Sequence, residues 1–306
     1  MINRYKHNNL TWLDVSNPTV EEIRDIVSEC KIPLELANDL TTTNPRTEAL
    51  ARKGTLKITL DFPIVKRTDI SHPHEIKFIV TNKYLITFRF EDIEAIHYFG
   101  KEFEVMCMLN NQVSDKRQIK TTGLFFTLLS HLYTTLHTKL DYIEAKIADV
   151  EEGVFNNQER EMVFEISHLT RRLIGFKQAV GSHEKALEHL HELIKVAFPG
   201  NYTDDVLNME HHYRSVNRRT YSLISAVEDL RDTNNALLST KQNEVMKMFT
   251  ILAFITFPLT LFTSMFGMNT TTTPIIGRQN DFWMIVGIMI IVSISFFVFF
   301  RYKRWF

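Results

Sequence analysis

The sequence predicts an α+β domain joined to a long helical bundle and stalk, followed by two transmembrane helices. Three observations predict this fold class. β-Branched and aromatic runs alternate with polar turns before residue 118, and apolar residues then step by three and four up to about residue 243. Finally, two long uncharged runs lie near the C-terminus. The expected divisions are 1–118 for a cytoplasmic α/β domain, 119–243 for a cytoplasmic helical bundle and stalk, and 244–306 for a membrane domain.

In the first division, "TLKITLDF", "EIKFIV" and "YLITFRF" predict strands, with Asn82-Lys83 closing a tight hairpin between Val80 and Leu85. "NPTVEEIRDIVSEC" predicts a helix capped by Asn17 with Pro18 at its first position. No glycine-rich phosphate loop, serine elbow or zinc-protease histidine pair is present, so nothing supports an enzyme. The 35 basic and 36 acidic residues leave a net charge of −1, which gives no reason to expect a nucleic-acid partner. Cys30 and Cys107 have no metal or redox spacing and are expected to be buried free thiols. "MINRYKHNNLTWLDV" lacks the apolar core of a cleavable signal peptide.

The second division carries three apolar stripes. One runs from Phe125 through Leu129, Leu136, Leu140 and Ile147 to Val154. A second runs from Met162 through Leu169, Leu173, Phe176 and Val180 to Ile194, with His183 filling its one gap. A third starts at Met209 and continues without glycine or proline to Pro258, predicting one helix over 203–266, about 95 Å long at ~1.5 Å per residue. "EGVFNNQE" and "FPGNYTDD" supply the breaks. The stripes are read as packing within a bundle. His183, His189, His191, His211 and His212 form no i, i+4 pair, so His183 is expected to be a satisfied core residue. Glu184, Glu188 and Glu192 share a face and are read as a solvated stripe.

Met248 to Gly277 and Phe282 to Phe300 carry no charge, predicting spans at about 248–267 and 282–300. Arg231, Lys241 and Lys247 precede the first span, and Arg301, Lys303 and Arg304 follow the second. Basic flanks stay inside, so both termini are expected on the cytoplasmic side of the cell membrane, with the linker outside. Trp283 and Trp305 should then sit near opposite interfaces. Two helices cannot enclose a water-filled path, so conduction requires several copies of the chain around an axis. Asn243, Met246, Phe249, Ala253, Phe257, Thr260 and Ser264 step by three or four along the first span and form its candidate pore-lining stripe. Helix packing also favours small and hydroxyl residues on such a face. The second span is apolar nearly all round, as an outer helix facing lipid would be.

"NEVMKMFTILAFITFPLTLFTSMFGMN", with Asn243-Glu244-Val245-Met246-Lys247, Pro258-Leu259-Thr260 and Gly267-Met268-Asn269, resembles the first membrane helix and signature triplet of the CorA family of divalent-cation transporters. The resemblance extends more loosely over the whole chain. It implies a funnel-shaped homopentamer, with Mg²⁺ as the usual substrate and Co²⁺ and Ni²⁺ also carried. It also implies that Gly267, Met268 and Asn269 form the outer mouth. There Asn269 amides would hold a hydrated ion, Gly267 would allow a tight turn and Met268 would pack behind. Asp232 matches a family aspartate near the cytoplasmic entrance. Asn208 and His211 fall where relatives carry aspartates linked to Mg²⁺ sensing, so Asp232, Asn208 and His211 are the candidate regulatory-metal residues. Phe257 stands where relatives often have methionine. The linker "TTTTPIIGRQND" offers Asp281 beside Arg278 where many relatives are acidic, and its Pro-x-x-Gly is similar to the Zn²⁺-transporting ZntB branch. Three functions follow: a Mg²⁺ transporter driven by the membrane potential and gated by intracellular Mg²⁺, a Zn²⁺ or Co²⁺/Ni²⁺ transporter of the same fold, and a non-conducting membrane-anchored sensor or scaffold.

Overall fold

The structure is a computed structural model and describes residues 1–41, 47–63, 74–112, 120–268 and 280–303. It divides into two compact units, Met1–Arg231 and Asp232–Phe306.

The first unit is built on a six-stranded sheet of β1 (Ile2–His7), β2 (Leu10–Ser16), β3 (Glu48–Arg52), β4 (Thr55–Phe62), β5 (His74–Thr81) and β6 (Tyr84–Arg89). Their order is β1-β2-β6-β5-β4-β3. β2 and β6 pair in parallel and the other neighbours pair antiparallel. The expected strands and the Val80–Leu85 hairpin are present, with the Thr81 hydroxyl accepting from the Tyr84 amide at the turn. A second hairpin, between β1 and β2, turns through Asn8-Asn9, with Asn8 at a positive φ of 52°. Asparagine tolerates that left-handed conformation better than most residues.

Both faces of the sheet are covered. Successive side chains on a strand point to opposite faces, so Leu13 joins Ile23 and Ile26 of α1 (Val20–Cys30), whereas Trp12 meets Phe99 and Phe103 of α3 (Glu94–Gln112). A short α2 (Leu34–Ala37) adds Leu36 to the first core. The β2–β6 register is pinned by buried polar groups. Thr87 donates to Asp14 at 2.9 Å, and Arg89 grips the same carboxylate through two nitrogens at 3.1 and 3.0 Å.

The start of α1 corrects the expected cap. Thr19, not Asn17, is the N-cap, and the helix opens after Pro18. The Thr19 hydroxyl accepts from the Glu22 amide while the Glu22 carboxylate accepts from the Thr19 amide, a reciprocal box that satisfies both donors. Asn17 instead takes a φ of 47° and donates its amide to the Arg89 carbonyl.

α4 (Thr121–Phe155) and α5 (Glu159–Glu188) bury the first two stripes. The second stripe is not one helix, because the chain leaves the helix at His189 and resumes as α6 (Leu190–Ala197). His189 stays near helical angles, so Leu187, Leu190 and Ile194 remain buried across the break. His183 is enclosed. Its ring nitrogens lie 2.9 Å from the Tyr133 hydroxyl of α4 and 2.7 Å from the Asp61 carbonyl of β4. The third stripe lies on α7 (Thr203–Phe266), a 64-residue helix with the expected bounds. Met209, Tyr213, Val216, Leu223, Val227 and Leu230 are among its buried positions in the first unit.

The second unit holds the rest of α7 and α8 (Asp281–Tyr302). Both contain apolar windows long enough to cross a membrane, and almost none of either window is buried within the chain. Leaving two such helices bare in water would be unfavourable at about 25 cal/mol per Å² of apolar surface, so a bilayer is the environment they fit.

Candidate functional site

The candidate stripe begins with exposed Asn243 and continues through Met246, Phe249, Ala253, Phe257, Thr260 and Ser264. At 3.6 residues per turn, the six residues from Met246 to Ser264 fall within an arc of about 80°. All seven are exposed, and Phe257 reaches 76%. Ile251 is 6% exposed and lies on the opposite side of the helix, which Ile255, Pro258 and Phe262 share as half-buried residues. On its flank, Phe254 packs edge-on against the buried Phe300 of α8, with ring centroids 6.1 Å apart. The covered side of α7 is therefore the one turned away from the stripe.

Hydroxyl chemistry refines this picture. Thr260 donates to the Thr256 carbonyl at 2.8 Å, and Thr256 donates to the Leu252 carbonyl at 2.8 Å. A threonine hydroxyl has one proton to give and two lone pairs. With the proton held by the helix, each oxygen faces outward as an acceptor, suited to a water that itself donates. Thr256 was not among the expected lining residues. Its spacing of four from Thr260 was the signal that could have found it at the edge of the same face.

The end of α7 carries two members of the signature. Gly267 still donates its amide to the Thr263 carbonyl at 2.9 Å, and its φ is not positive. A Cβ there would lie 3.0 Å from the Thr263 carbonyl of the same helix. Met268 is 58% exposed. Asn269, Arg278 and Trp305 lie outside the described residues.

Asn208 and His211 are exposed on α7 in the first unit, and Asp232 opens the second. Among the described residues, no three His, Cys, Asp or Glu side chains come together as a metal-holding group.

A large α/β domain with two helices long and apolar enough to cross a membrane defines the class of this protein. The chain belongs to the family described as CorA-like Mg²⁺ transporter protein, whose profile matches residues 7–304. The cobalt/magnesium transport protein CorA of Thermotoga maritima is 26% identical over 196 residues, and the match spans 62% of this chain and about half, 54%, of that relative. The magnesium transport protein CorA of Mannheimia succiniciproducens is 22% identical, over 97% of this chain and 92% of its own length. Among solved structures, the complete CorA magnesium transporter of Methanocaldococcus jannaschii superposes with a TM-score of 0.81 at 19% identity. That alignment covers 99% of this chain and 93% of the other, and it shows the fold.

Proposed function

We propose that five copies of this chain surround an axis in the cell membrane and pass hydrated Mg²⁺, with Co²⁺ and Ni²⁺ as further substrates, along a path walled by the α7 stripe. The observation that carries this reading is the orientation of the stripe. It lies opposite the covered side of α7, bare within one chain and available to other copies. The relatives named for magnesium and for cobalt/magnesium transport support the choice of ion. So does the chemistry of the stripe. Mg²⁺ dehydrates reluctantly and keeps several waters, and the tied hydroxyl of Thr260 accepts from such waters without replacing them. Zn²⁺ prefers nitrogen and thiolate ligands, and the stripe contains neither histidine nor cysteine. Both termini face the cytoplasm in this reading, and the membrane potential contributes about 4.6 kcal/mol for a dication at 100 mV.

Cysteine substitution tests the wall. In a background where Cys30 and Cys107 are replaced by serine, Thr260→Cys should react with a membrane-impermeant thiol reagent, and the reaction should block Mg²⁺ uptake. Ile291→Cys, on the exposed surface of α8, should leave uptake unchanged after the same treatment. Block at Ile291 but not at Thr260 would reverse the assignment of inner and outer helices.

A further inference from the structure

A cleft of about 300 Å³ opens between α5 and α7 within the first unit. α7 supplies Glu210, Tyr213, Arg214, Asn217 and Tyr221, which recur every three or four residues and so share one face of that helix. α5 supplies Glu184, Leu187 and Glu188 at the same spacing. The two helices also meet at Tyr221, where Lys177 of α5 lies over the ring, 4.6 Å from its centroid.

Two buried oxygens on the α7 face have no partner among the described residues. Tyr213 is 5% exposed, and its hydroxyl forms no hydrogen bond. Its ring packs edge-on against Tyr133 at 6.1 Å, and the Tyr133 hydroxyl is already bonded to His183. The Tyr213 hydroxyl faces the cleft. Burial, followed by Glu184, Tyr221 and Glu188 of the cleft lining, pushes its pKa up to about 12, so it keeps its proton at neutral pH. Asn217 Oδ1, one turn further along α7, is likewise buried and unpartnered. Buried polar atoms are ordinarily bonded, so two on one face of one helix mark a place where something else supplies the bond. An amide oxygen only accepts, so the missing group is a donor.

The charges of the lining favour a cationic donor. Glu184, Glu188 and Glu210 stand against Arg214 and Arg218. Arg214 is paired with Glu210 of its own helix at 3.1 Å, and Arg218 is exposed. Glu184 and Glu188, beside the Tyr213 hydroxyl, are in no ion pair among the described residues. Nor do these carboxylates come together as a metal-holding group. A primary ammonium has three N–H donors, which match the Tyr213 oxygen, Asn217 Oδ1 and the Glu184 carboxylate. The Tyr213 proton is then available to Glu188. Buried Leu187 and the Tyr221 ring offer an apolar wall to a short carbon chain.

We propose that this cleft binds a small organic molecule through a primary ammonium group held by Tyr213, Asn217 and Glu184, with its carbon chain against Leu187 and Tyr221. A free amine and an amino acid share that group, and an amino acid adds a carboxylate for Arg218. The site does not depend on the conduction reading.

Equilibrium dialysis of the full-length protein in detergent with EDTA tests it, using labelled 3-methylbutylamine, L-leucine and 4-methylpentanoate, which share one carbon chain. An ammonium-bearing probe should bind saturably, and 4-methylpentanoate, which lacks the ammonium, should not. Tighter binding of leucine makes an amino acid the ligand, and tighter binding of 3-methylbutylamine makes it a free amine. Tyr213→Phe and Glu184→Gln should each weaken that binding about tenfold, the size expected for losing one bond to a charged group. Without ligand, Tyr213→Phe loses no hydrogen bond, so its thermal unfolding midpoint should be no lower than that of the wild type. Glu184 is exposed, so its variant keeps the binding test valid if Tyr213→Phe fails to fold. No saturable binding of either ammonium probe at millimolar concentration, equally tight binding of 4-methylpentanoate, or an unchanged dissociation constant in Glu184→Gln would overturn the proposal. A lowered midpoint in Tyr213→Phe would overturn it too, by showing that the hydroxyl is bonded within the fold.

Discussion

His183 carries the residue-scale argument because it joins three elements through two short bonds. Burial holds its pKa down at about 4, against an ordinary 6.5, since a charged ring would lose its water; the bond to the Asp61 carbonyl opposes this only in part. As pH falls from 6.5 towards 4, the unfolded chain binds a proton at this position that the folded chain refuses. Stability is therefore full above pH 6.5 and declines through that window, by about 3 kcal/mol for a shift of this size. Thermal unfolding of the full-length protein should show a midpoint that drops between pH 6.5 and 4.5, and His183→Gln should flatten that drop. An equally steep drop in the variant would place the responsible group elsewhere. The central role of His183 was legible, because it fills a gap in an apolar stripe, but its partners were not. Tyr133 lies 50 residues away and Asp61 lies 122 away, and such distant bonds follow from packing, which a local pattern does not encode.

At the scale of elements, the most legible feature was α7, whose bounds follow from an unbroken pattern between "FPGNYTDD" and the glycine after Phe266. The sheet edges were not legible. β3 reads Glu-Ala-Leu-Ala-Arg, a sequence with helical preference, and it becomes a strand because five residues pair with β4. The β1–β2 hairpin did carry a signal, a two-residue Asn-Asn turn between pairing residues His7 and Leu10, which the lysine and asparagines around it obscured. α7 also carries the clearest element-scale prediction. Met246, Phe249 and Phe257 are large, exposed and on the stripe between Asn243 and Thr260, where a ring of apolar groups would stop ions by dewetting. Phe257→Ala should raise the dication leak when Mg²⁺ is high on the cytoplasmic side. Unchanged current from a normally assembled variant would move the barrier to another part of the helix.

For the whole molecule, the conduction account joins a family-wide fold to one face of one helix. In the proposed account the chain contributes a wall and a path requires further copies, so assembly and function would be inseparable. The triplet Gly267-Met268-Asn269 is the feature of the sequence on which the proposed mouth rests, whereas the way α7 ends, with the Gly267 amide still bonded to the Thr263 carbonyl, follows from the structure. Asn269 is the proposed mouth, where an amide ring would hold hydrated ions weakly enough to release them. The most direct test is Mg²⁺ influx into proteoliposomes under an inside-negative potential, normalised to assembled protein. Wild-type protein should give influx that rises with potential, and Asn269→Gly, assembled normally, should abolish it. Wild-type protein that passes no Mg²⁺ at any potential, or an Asn269→Gly variant with undiminished influx, would contradict the account.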